Sequence, residues 1–290
     1  MVNDLVSDGS EVILKDKMNL RYCIIGGDLR QRYLAAEFEN NGYHINTFGV
    51  CGMPDDSSLK ERIDHSDILI LPIPFSKDRR TVFSNTSDIN ISELLSLLNS
   101  HHILYGGCFN EAFRNKCQEK GVAFIDFMDD DTFELNNSIA TAEGTIAEAI
   151  SHSDINIHAS RCLVLGYGKC GSAIANRLKS LNAKVTVCAR KKSQQLLAYE
   201  SGHCYMNFHQ LSKNVSDYDF IFNTIPSLVL TENILNNVHK DTTIIDIASK
   251  PGGTDFDACK SLGINAHLCL GLPGKYSPKT SAKIIYNSIV

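Results

Sequence analysis

The sequence predicts an α/β protein with two doubly wound parallel-sheet domains bridged by helices, of which the second is a Rossmann domain. Short apolar, β-branched runs alternate with longer amphipathic stretches along nearly the whole chain, which is typical of βαβ units. The 290 residues suffice for two domains of ordinary size. Hydrophobic residues at 43% and charged residues at 21% are close to the average of globular proteins, which excludes a disordered or fibrous chain.

The first half carries five predicted strands, at residues 22–25, 44–48, 68–71, 103–105 and 123–125. Amphipathic patterns between them predict helices at 29–41, 91–99 and 111–120. We therefore expect a flavodoxin- or Rossmann-like domain over residues 1–139, and we assign the substrate side of the chemistry to it.

The second half repeats this alternation. Its predicted strands are residues 162–165, 184–188, 220–223, 243–246 and 266–269, and its first crossover helix is 172–181. We expect a Rossmann domain that binds NADP over residues 140–277.

Two segments connect these domains. The run 129–131 predicts a charged exposed turn, and the alanine-rich stretch 140–152 predicts a connecting helix. Residues 278–290 start at a proline suited to a helix start and predict a helix that returns to the first domain. Open α/β sheets bind ligands at the carboxyl ends of their strands, so we expect the chemistry in a cleft there.

Charge and composition exclude several classes of partner. With 28 Lys+Arg against 33 Asp+Glu, the net charge of −5 gives no reason to expect a nucleic acid or an anionic membrane. No apolar run approaches the about 18 residues of a membrane helix, and the acidic start 1–17 is unlike a secretory signal, so we expect a cytoplasmic protein. The ten cysteines form no CxxC pair, so we expect structural thiols and no metal. The sequence leaves a homo-oligomer open.

The most specific motif is a GxGxxG placed after a predicted strand and before a predicted helix. Gly166 permits the tight turn, Gly168 lets the backbone approach a pyrophosphate, and Gly171 lets helix and strand pack closely. The helix start, with Lys169 and Cys170, faces the anion. We expect a bound dinucleotide, and the alternative is a Rossmann domain whose pocket is filled.

The end of the next strand indicates which dinucleotide the domain binds. NAD sites usually place an acidic residue here to bind the ribose diol. This chain has Arg190, Lys191 and Ser193 instead, and a guanidinium can bind a 2′-phosphate through charge-assisted hydrogen bonds. The motif favours NADP, and the alternative is a solvated basic loop.

Further strand ends converge on the same site if the sheet has Rossmann order. Glycine or proline follows each of these strands, where backbone groups can border the nicotinamide. The candidate residues are Asn223, Thr224, Ile225, Pro226, Ala248, Gly271 and Pro273.

Loops of the first domain carry cations that suit a small dianion. Asp28 fits a helix N-cap, and Arg30 then lies in the first helical turn, where a cation opposes the helix dipole unless an anion balances it. Residues 76–81 add three cations. Glu143 follows Thr141, a predicted cap of the connecting helix, and could orient a substrate or a water molecule.

The ordered set of motifs resembles the family of the dipicolinate synthase A subunit. The motifs are GGDLRQ (26–31), TAEGT (141–145), LGYGKCG (165–171), NTIP (223–226), PGGTDF (251–256) and GLPG (271–274). The resemblance implies an NADP-dependent enzyme of the sporulating mother cell. Together with the B subunit of the synthase, it would make dipicolinate from 4-hydroxy-tetrahydrodipicolinate, a cyclic dicarboxylate.

The resemblance also implies a chemistry of dehydration and hydride loss, in which positioning dominates. Arg30 is the first candidate to hold a substrate carboxylate, with Lys275 or Lys279 on the other wall. Ser76, Asn110 and Glu143 are candidate proton acceptors, and water or the B subunit are alternatives.

Two other functions stay open at this stage. The chain could be a non-catalytic scaffold or regulatory subunit that binds NADP while its partner holds the catalytic groups. It could also be a reductase like the shikimate or methylenetetrahydrofolate dehydrogenases, which the segment 223–226 also resembles.

Overall fold

The computed structural model of the chain describes residues 19–290. The acidic start at 1–17, used above to argue against a secretory signal, lies outside these residues. The chain divides into two units. The first unit holds the described residues up to Asp129 together with Ile285–Val290, and the second unit holds Asp130–Ile284.

The first unit is built on a parallel sheet of five strands, as expected. Its strands, including a short antiparallel pair β4–β5 outside that sheet, are β1 (Tyr22–Ile25), β2 (Ile45–Phe48), β3 (Ile68–Ile70), β4 (Thr81–Val82), β5 (Ile89–Asn90), β6 (Ile103–Gly106) and β7 (Ala123–Asp126). The helices are α1 (Leu29–Asn40), α2 (Leu59–Asp64), α3 (Ile91–Leu97) and α4 (Glu111–Glu119). The order β2-β1-β3-β6-β7 is the doubly wound order of flavodoxin-like sheets.

Burial explains why the first sheet forms. All four residues of β1 are buried, because helices cover both faces of a parallel sheet and its strands are therefore apolar throughout. Asp28 caps α1 as predicted, and the Gln31 side chain completes a capping box. The end of the last helix also belongs to this unit, where the Tyr286 ring packs edge-on against Phe38 at 5.0 Å between centroids.

The second unit contains a parallel sheet of six strands. They are β8 (Arg161–Leu165), β9 (Lys184–Cys188), β10 (Cys204–Met206), β11 (Phe220–Asn223), β12 (Thr243–Asp246) and β13 (Asn265–Leu268). The helices are α5 (Asp131–Ser151), α6 (Lys169–Ser180), α7 (Lys192–Glu200), α8 (Phe208–Asn214), α9 (Glu232–Leu235), α10 (Phe256–Leu262), α11 (Leu272–Tyr276) and α12 (Pro278–Ile289), whose last residues belong to the first unit. The order β10-β9-β8-β11-β12-β13 is the Rossmann order.

The predicted start of the connecting helix at Ala140 is wrong. Helix α5 begins at Asp131, and the Asp130 side chain caps it by accepting a hydrogen bond from the amide of Thr132 at 2.8 Å. The acidic run predicted as an exposed turn is therefore a helix start, because aspartates are favoured at the cap and in the first turn. Thr141 lies in the middle of α5 and is not a cap.

Most of the cysteines behave as small buried hydrophobes. All ten lie within residues 19–290, where none forms a disulfide, and six of them are buried. Burial raises the pKa of Cys162 and of Cys188 to about 12, which keeps both thiols protonated. Cys108 and Cys204 are exposed, which is contrary to the expectation for a structural thiol.

Within residues 19–290, no helix is long and apolar enough to cross a membrane. The same residues contain no group of three or more His, Cys, Asp or Glu side chains arranged to hold a metal ion.

Candidate dinucleotide-binding site

The ends of the central strands of the second sheet lie in register at one edge. Leu165 at the end of β8 pairs with Cys188 of β9 and with Asn223 of β11, and Asn223 pairs with Asp246 of β12. The loops that follow all leave from this carboxyl edge because the strands are parallel. The strand ends that the sequence predicts to converge therefore share one edge of the sheet, and their role in binding stays a prediction.

Two glycines of the GxGxxG motif are required by packing. Gly166 has a φ of +93°, and a Cβ atom on it would lie 2.6 Å from the Thr224 hydroxyl oxygen. A Cβ atom on Gly171 would lie 2.3 Å from the carbonyl oxygen of Gly166. Both distances are below any real Cβ contact, so the turn and the close approach of helix α6 both exclude a side chain.

Gly168 is a glycine for a different reason. A Cβ atom on it would meet no other atom of residues 19–290 within 4 Å. It is the N-cap of α6, with extended backbone, and no side chain of these residues caps this helix end. The first-turn N–H groups of α6 therefore lack a side-chain cap among the described residues, which fits a dinucleotide pyrophosphate at a positive helix end.

Of the two residues after Gly168, Lys169 is committed to protein contacts and Cys170 is half-buried. The Lys169 ammonium donates hydrogen bonds to Asp131 Oδ1 at 2.5 Å and to Glu134 of α5. The hydrogen bond to Asp131, followed by the one to Glu134, raises the pKa of Lys169. Cys170 is half-buried, and burial raises the pKa of its thiol.

The end of β9 presents cations to solvent. Arg190, Lys191 and Ser193 are exposed at the start of α7, which has no side-chain cap. Within residues 19–290, Arg190 and Lys191 form no ion pair with a carboxylate. The strand end itself is fixed, because the buried Gln195 amide donates to the carbonyl of Ala189 at 2.8 Å.

The loop after β11 is tied to the GxGxxG turn. The Thr224 hydroxyl donates to the carbonyl of Leu165 at 2.8 Å. The buried Asn223 amide donates to the carbonyl of Ile225 and accepts from its N–H, both at 3.2 Å. Pro226 follows in an exposed position. This loop is therefore held beside Gly166.

The sequence did not single out Asp246, which organises the loop after β12. Its fully buried carboxylate accepts hydrogen bonds from the N–H of Ala248 at 2.8 Å, the N–H of Gly253 at 3.2 Å and the Thr254 hydroxyl at 2.7 Å. A Cβ atom on Gly253 would lie 2.2 Å from the Asn223 amide nitrogen. The loops after β11 and β12 thus form one packed wall. An aspartate at the end of an apolar strand was the signal available in the sequence.

The last predicted segment starts helix α11. Gly271 is its N-cap with a φ of +67°, and Pro273 is buried in its first turn. The Lys275 ammonium donates to Glu148 Oε1 of α5 at 2.6 Å. Burial raises the pKa of Glu148, but the hydrogen bond and charge of Lys275 outweigh it and lower the pKa overall. Lys275, a predicted ligand for substrate carboxylates, is therefore committed to Glu148.

In the first unit, the anion that balances Arg30 is internal. Arg30 is buried, and its Nε and Nη2 atoms donate to the two carboxylate oxygens of Asp28, each at 2.9 Å. Nη2 also donates to the carbonyl of Ile73. Asp28 therefore balances the charge of Arg30 in this helical turn, so the position of Arg30 gives no indication of a ligand anion.

Ser76 belongs to a tightly bonded turn. Its hydroxyl donates to Asp78 Oδ1 at 3.1 Å, and the N–H groups of Arg80 and Thr81 donate to the same oxygen at 2.8 Å. The backbone hydrogen bonds from Thr81 and Arg80 lower the pKa of Asp78. This turn leaves Arg79 and Arg80 exposed on a rigid support.

The other two candidate proton acceptors also have structural partners. Asn110 is the N-cap of α4, where its side-chain oxygen accepts from the N–H of Phe113 at 2.9 Å. Glu143 is exposed in the middle of α5, with its Oε1 3.5 Å from Nε of Arg177. The expectation that Glu143 lies in the first helical turn is wrong, since α5 begins twelve residues before it.

A buried carboxylate also organises the first unit. Asp126, the last residue of β7, accepts from the N–H groups of Cys108 at 3.0 Å and Phe109 at 2.8 Å, and it pairs with Arg114. The loop after β6 is therefore fixed in the same way as the loop after β12.

The fold and the site define a two-unit α/β protein with a dehydrogenase-type dinucleotide-binding domain. Residues 133–243 match the NAD binding domain of the D-isomer specific 2-hydroxyacid dehydrogenases. Residues 21–128 match the N-terminal domain of the dipicolinate synthase A subunit. The dipicolinate synthase A subunit of Bacillus subtilis (strain 168) is 33% identical over 278 residues, which cover 92% of this chain and 94% of that protein. The chain belongs to the dipicolinate synthase A subunit family.

Solved structures agree with this assignment. The crystal structure of the dipicolinate synthase A subunit from Bacillus halodurans has a TM-score of 0.83 and 32% identity, covering 93% of this chain and 96% of that one. The dipicolinate synthase A chain from Bacillus subtilis has a TM-score of 0.80 and 31% identity, covering 93% and 94%. A transhydrogenase from Sinorhizobium meliloti, at 11% identity, covers 88% of this chain and 78% of that one with a TM-score of 0.64 and shares the fold alone.

Proposed function

We propose that the chain is an NADP-dependent oxidoreductase that works with the B subunit of the synthase in the cytoplasm of a sporulating mother cell. Together they convert 4-hydroxy-tetrahydrodipicolinate to dipicolinate, pyridine-2,6-dicarboxylate. The observation that carries the proposal is the open, uncapped start of α6 at Gly168, in a chain of the dipicolinate synthase A subunit family. The helix start supports oxidation by a dinucleotide, and membership of the family supplies the substrate class.

The preference for NADP over NAD rests on the end of β9. Arg190 is exposed there and has no carboxylate partner within residues 19–290, and the strand end carries no acidic residue that could bind a ribose diol. A guanidinium binds a phosphate with charge-assisted, often bidentate hydrogen bonds. Lys191 and Ser193 at the uncapped start of α7 add a second charge and a hydroxyl. The side chains of Arg190, Lys191 and Ser193 are therefore suited to bind a 2′-phosphate.

The reaction balances as the loss of water followed by an oxidation. Elimination of the 4-hydroxyl group with a ring proton gives a dihydropyridine dicarboxylate, and removal of a hydride and a proton from it gives the aromatic pyridine. A nicotinamide dinucleotide held by the GxGxxG turn and the start of α6 would supply the hydride acceptor. Residues of this chain then have to hold two carboxylates in place and provide a route for protons.

We assign the carboxylates to the turn that follows β3. Arg79 and Arg80 are exposed there on a support fixed by Asp78, so they can meet two carboxylates with little further loss of backbone entropy. Arg30, the first candidate from the sequence, donates to Asp28 and to Ile73 in the same loop. We therefore give Arg30 a positioning role for this loop.

The proton acceptor is assigned to water or to the B subunit. The Asn110 amide caps a helix, the Ser76 hydroxyl donates to Asp78, and the Glu143 carboxylate lies beside Arg177. Each of these three groups already has a neighbour in the protein, so we do not assign it as the base.

The test is turnover by the purified protein, with and without the B subunit, on the precursor and NADP. Formation of NADPH together with an ultraviolet-absorbing pyridine is expected, and the lack of both under both conditions overturns the proposal. The double variant Arg79→Gln/Arg80→Gln should raise KM for the precursor and leave the Kd for NADP unchanged. Lys60→Gln, another exposed cation of the first unit, is the matched control and should change neither.

The structural roles of Ser76, Asn110 and Glu143 also favour a second candidate function. The chain would bind NADP and contribute contacts, while the B subunit would supply the catalytic groups. In that case Arg79→Gln/Arg80→Gln would leave turnover of the complex intact, and substitutions at the contact between the two subunits would abolish it.

A further inference from the structure

Lys169 forms a cluster of three charged side chains with Asp131 and Glu134 beside the start of α6. It is the first residue of α6, directly after Gly168, and its ammonium contacts Asp131 and Glu134 in the first turn of α5. Both helix starts are in the second unit. One positive charge therefore faces two carboxylates beside the helix end that fits a pyrophosphate.

The charges of this cluster act both on Lys169 and on a dinucleotide at the start of α6. A cation in the first turn of a helix opposes the helix dipole, so Lys169 is stabilised at this position by the two carboxylates. Those carboxylates would in turn repel the phosphates of a dinucleotide. The start of α6 and this charge cluster are adjacent, because Lys169 directly follows Gly168.

Two roles are conceivable for Lys169 when a dinucleotide binds. It could leave the carboxylates and bind a phosphate directly, as the position after Gly168 suggests. It could also stay on them and cancel their charge. The contacts favour the second role, because leaving would uncover two carboxylates at the moment when phosphates arrive. The raised pKa of Lys169, caused first by its hydrogen bond to Asp131, keeps the ammonium charged where it is.

We propose that Lys169 is a positioning residue that shields the dinucleotide phosphates from Asp131 and Glu134 by remaining bound to both. This inference rests on dinucleotide binding at α6. It predicts that the lysine becomes dispensable once the two carboxylates are removed.

The test is equilibrium binding of NADP, measured by calorimetry, to three proteins. They are the wild type, Lys169→Met, and the triple variant Lys169→Met/Asp131→Asn/Glu134→Gln. Lys169→Met should raise the Kd about tenfold or more, the size expected for one uncompensated charge close to phosphates. The triple variant should return to within about twofold of the wild type.

A triple variant as weak as Lys169→Met overturns the proposal, because it shows that the lysine contacts the phosphates itself. Lys179→Met removes a charge from the same helix without touching the carboxylates, since Lys179 donates to the carbonyl of Ser201. It should leave the Kd unchanged. A loss as large as that of Lys169→Met would also overturn the shield, because it would be an effect of net charge.

The comparison of the wild type with the triple variant also covers a variant that fails to fold and a failure of the proposed function. If Lys169→Met fails to fold, the comparison of the triple variant with the wild type alone still separates the two roles, because direct contact predicts a loss there and shielding does not. A wild-type protein that binds neither NADP nor NAD refutes the proposed function. A wild type that binds NADP next to a triple variant that does not refutes only the shield.

Discussion

Replacement of Gly168 and of Gly171 by alanine separates the binding role of the GxGxxG motif from its structural role. At Gly168 a methyl group meets no atom within 4 Å, and the φ of −86° suits any residue. At Gly171 the same methyl group lies 2.3 Å from the carbonyl oxygen of Gly166, which is backbone and cannot rotate away. The first variant fills the approach to the helix start, and the second forces α6 away from β8.

The expected magnitudes follow from these distances. Overpacking against backbone at Gly171 costs about 1–3 kcal/mol, of which alanine recovers at most about 1 kcal/mol through its higher helix propensity. Replacement of the N-cap glycine in Gly168→Ala should lower the free energy of unfolding by no more than about 1 kcal/mol. NADP binding, in contrast, should be weakened strongly by Gly168→Ala, because its methyl group occupies the path of the pyrophosphate. We expect a rise of about tenfold or more in its Kd for NADP, or about 1.4 kcal/mol.

The assay compares thermal unfolding of the cofactor-free proteins with equilibrium binding of NADP. Gly168→Ala should unfold close to the wild type and bind weakly. Gly171→Ala should unfold several degrees lower, since each kcal/mol shifts the Tm by about 2–4 °C in a protein of this size class. Wild-type binding by Gly168→Ala would refute the reasoning, and so would a loss of thermal stability at Gly168 equal to that at Gly171.

Three further predictions concern specificity, the buried carboxylate and pH. Arg190→Ala should weaken NADP binding by about 1–3 kcal/mol and leave NAD binding nearly unchanged; equal losses for both cofactors in parallel titrations would contradict the assignment. Asp246→Asn, which turns an acceptor of three hydrogen bonds into a group with one oxygen, should lower stability to denaturant by about 1–3 kcal/mol, more than Thr254→Val, which removes only one. Burial, and then the neighbouring His101, lower the pKa of His102, so the unfolded chain takes up a proton first and stability should fall as the pH drops below about 6.5. His102→Gln should flatten that decline in pH-dependent unfolding curves, and an unchanged slope would show that another group causes it.

The fold class was predictable because its signals are local. The apolar runs around Ile24 and Val164 are buried on both faces of parallel sheets, and each is long enough to be recognised without its neighbours. The strand Cys204–Met206 was missed because three residues at a sheet edge are too short to show a pattern. The first half of α5 was missed because the run 129–131 was interpreted as a turn, although aspartates are also favoured at a helix cap and in a first turn, as Asp130 and Asp131 are here.

Only the local part of the candidate site was predictable. The GxGxxG glycines act within one strand–turn–helix unit, so their positions could be assigned from spacing alone. Asp246 had a sequence signal as an aspartate at the end of an apolar strand, but only the structure shows that the loop folds back so that Ala248, Gly253 and Thr254 donate to it. The anion beside Arg30 was available in the sequence, two residues away at Asp28. Only the side-chain geometry shows that Nε and Nη2 of Arg30 both donate to this carboxylate.

The most direct test of the central claim is a crystal structure of the protein with NADP. The account predicts the pyrophosphate at the start of α6 above Gly168 and the 2′-phosphate within hydrogen-bond distance of Arg190. A cofactor bound elsewhere, or bound there with its 2′-phosphate away from Arg190 and in solvent, would contradict it.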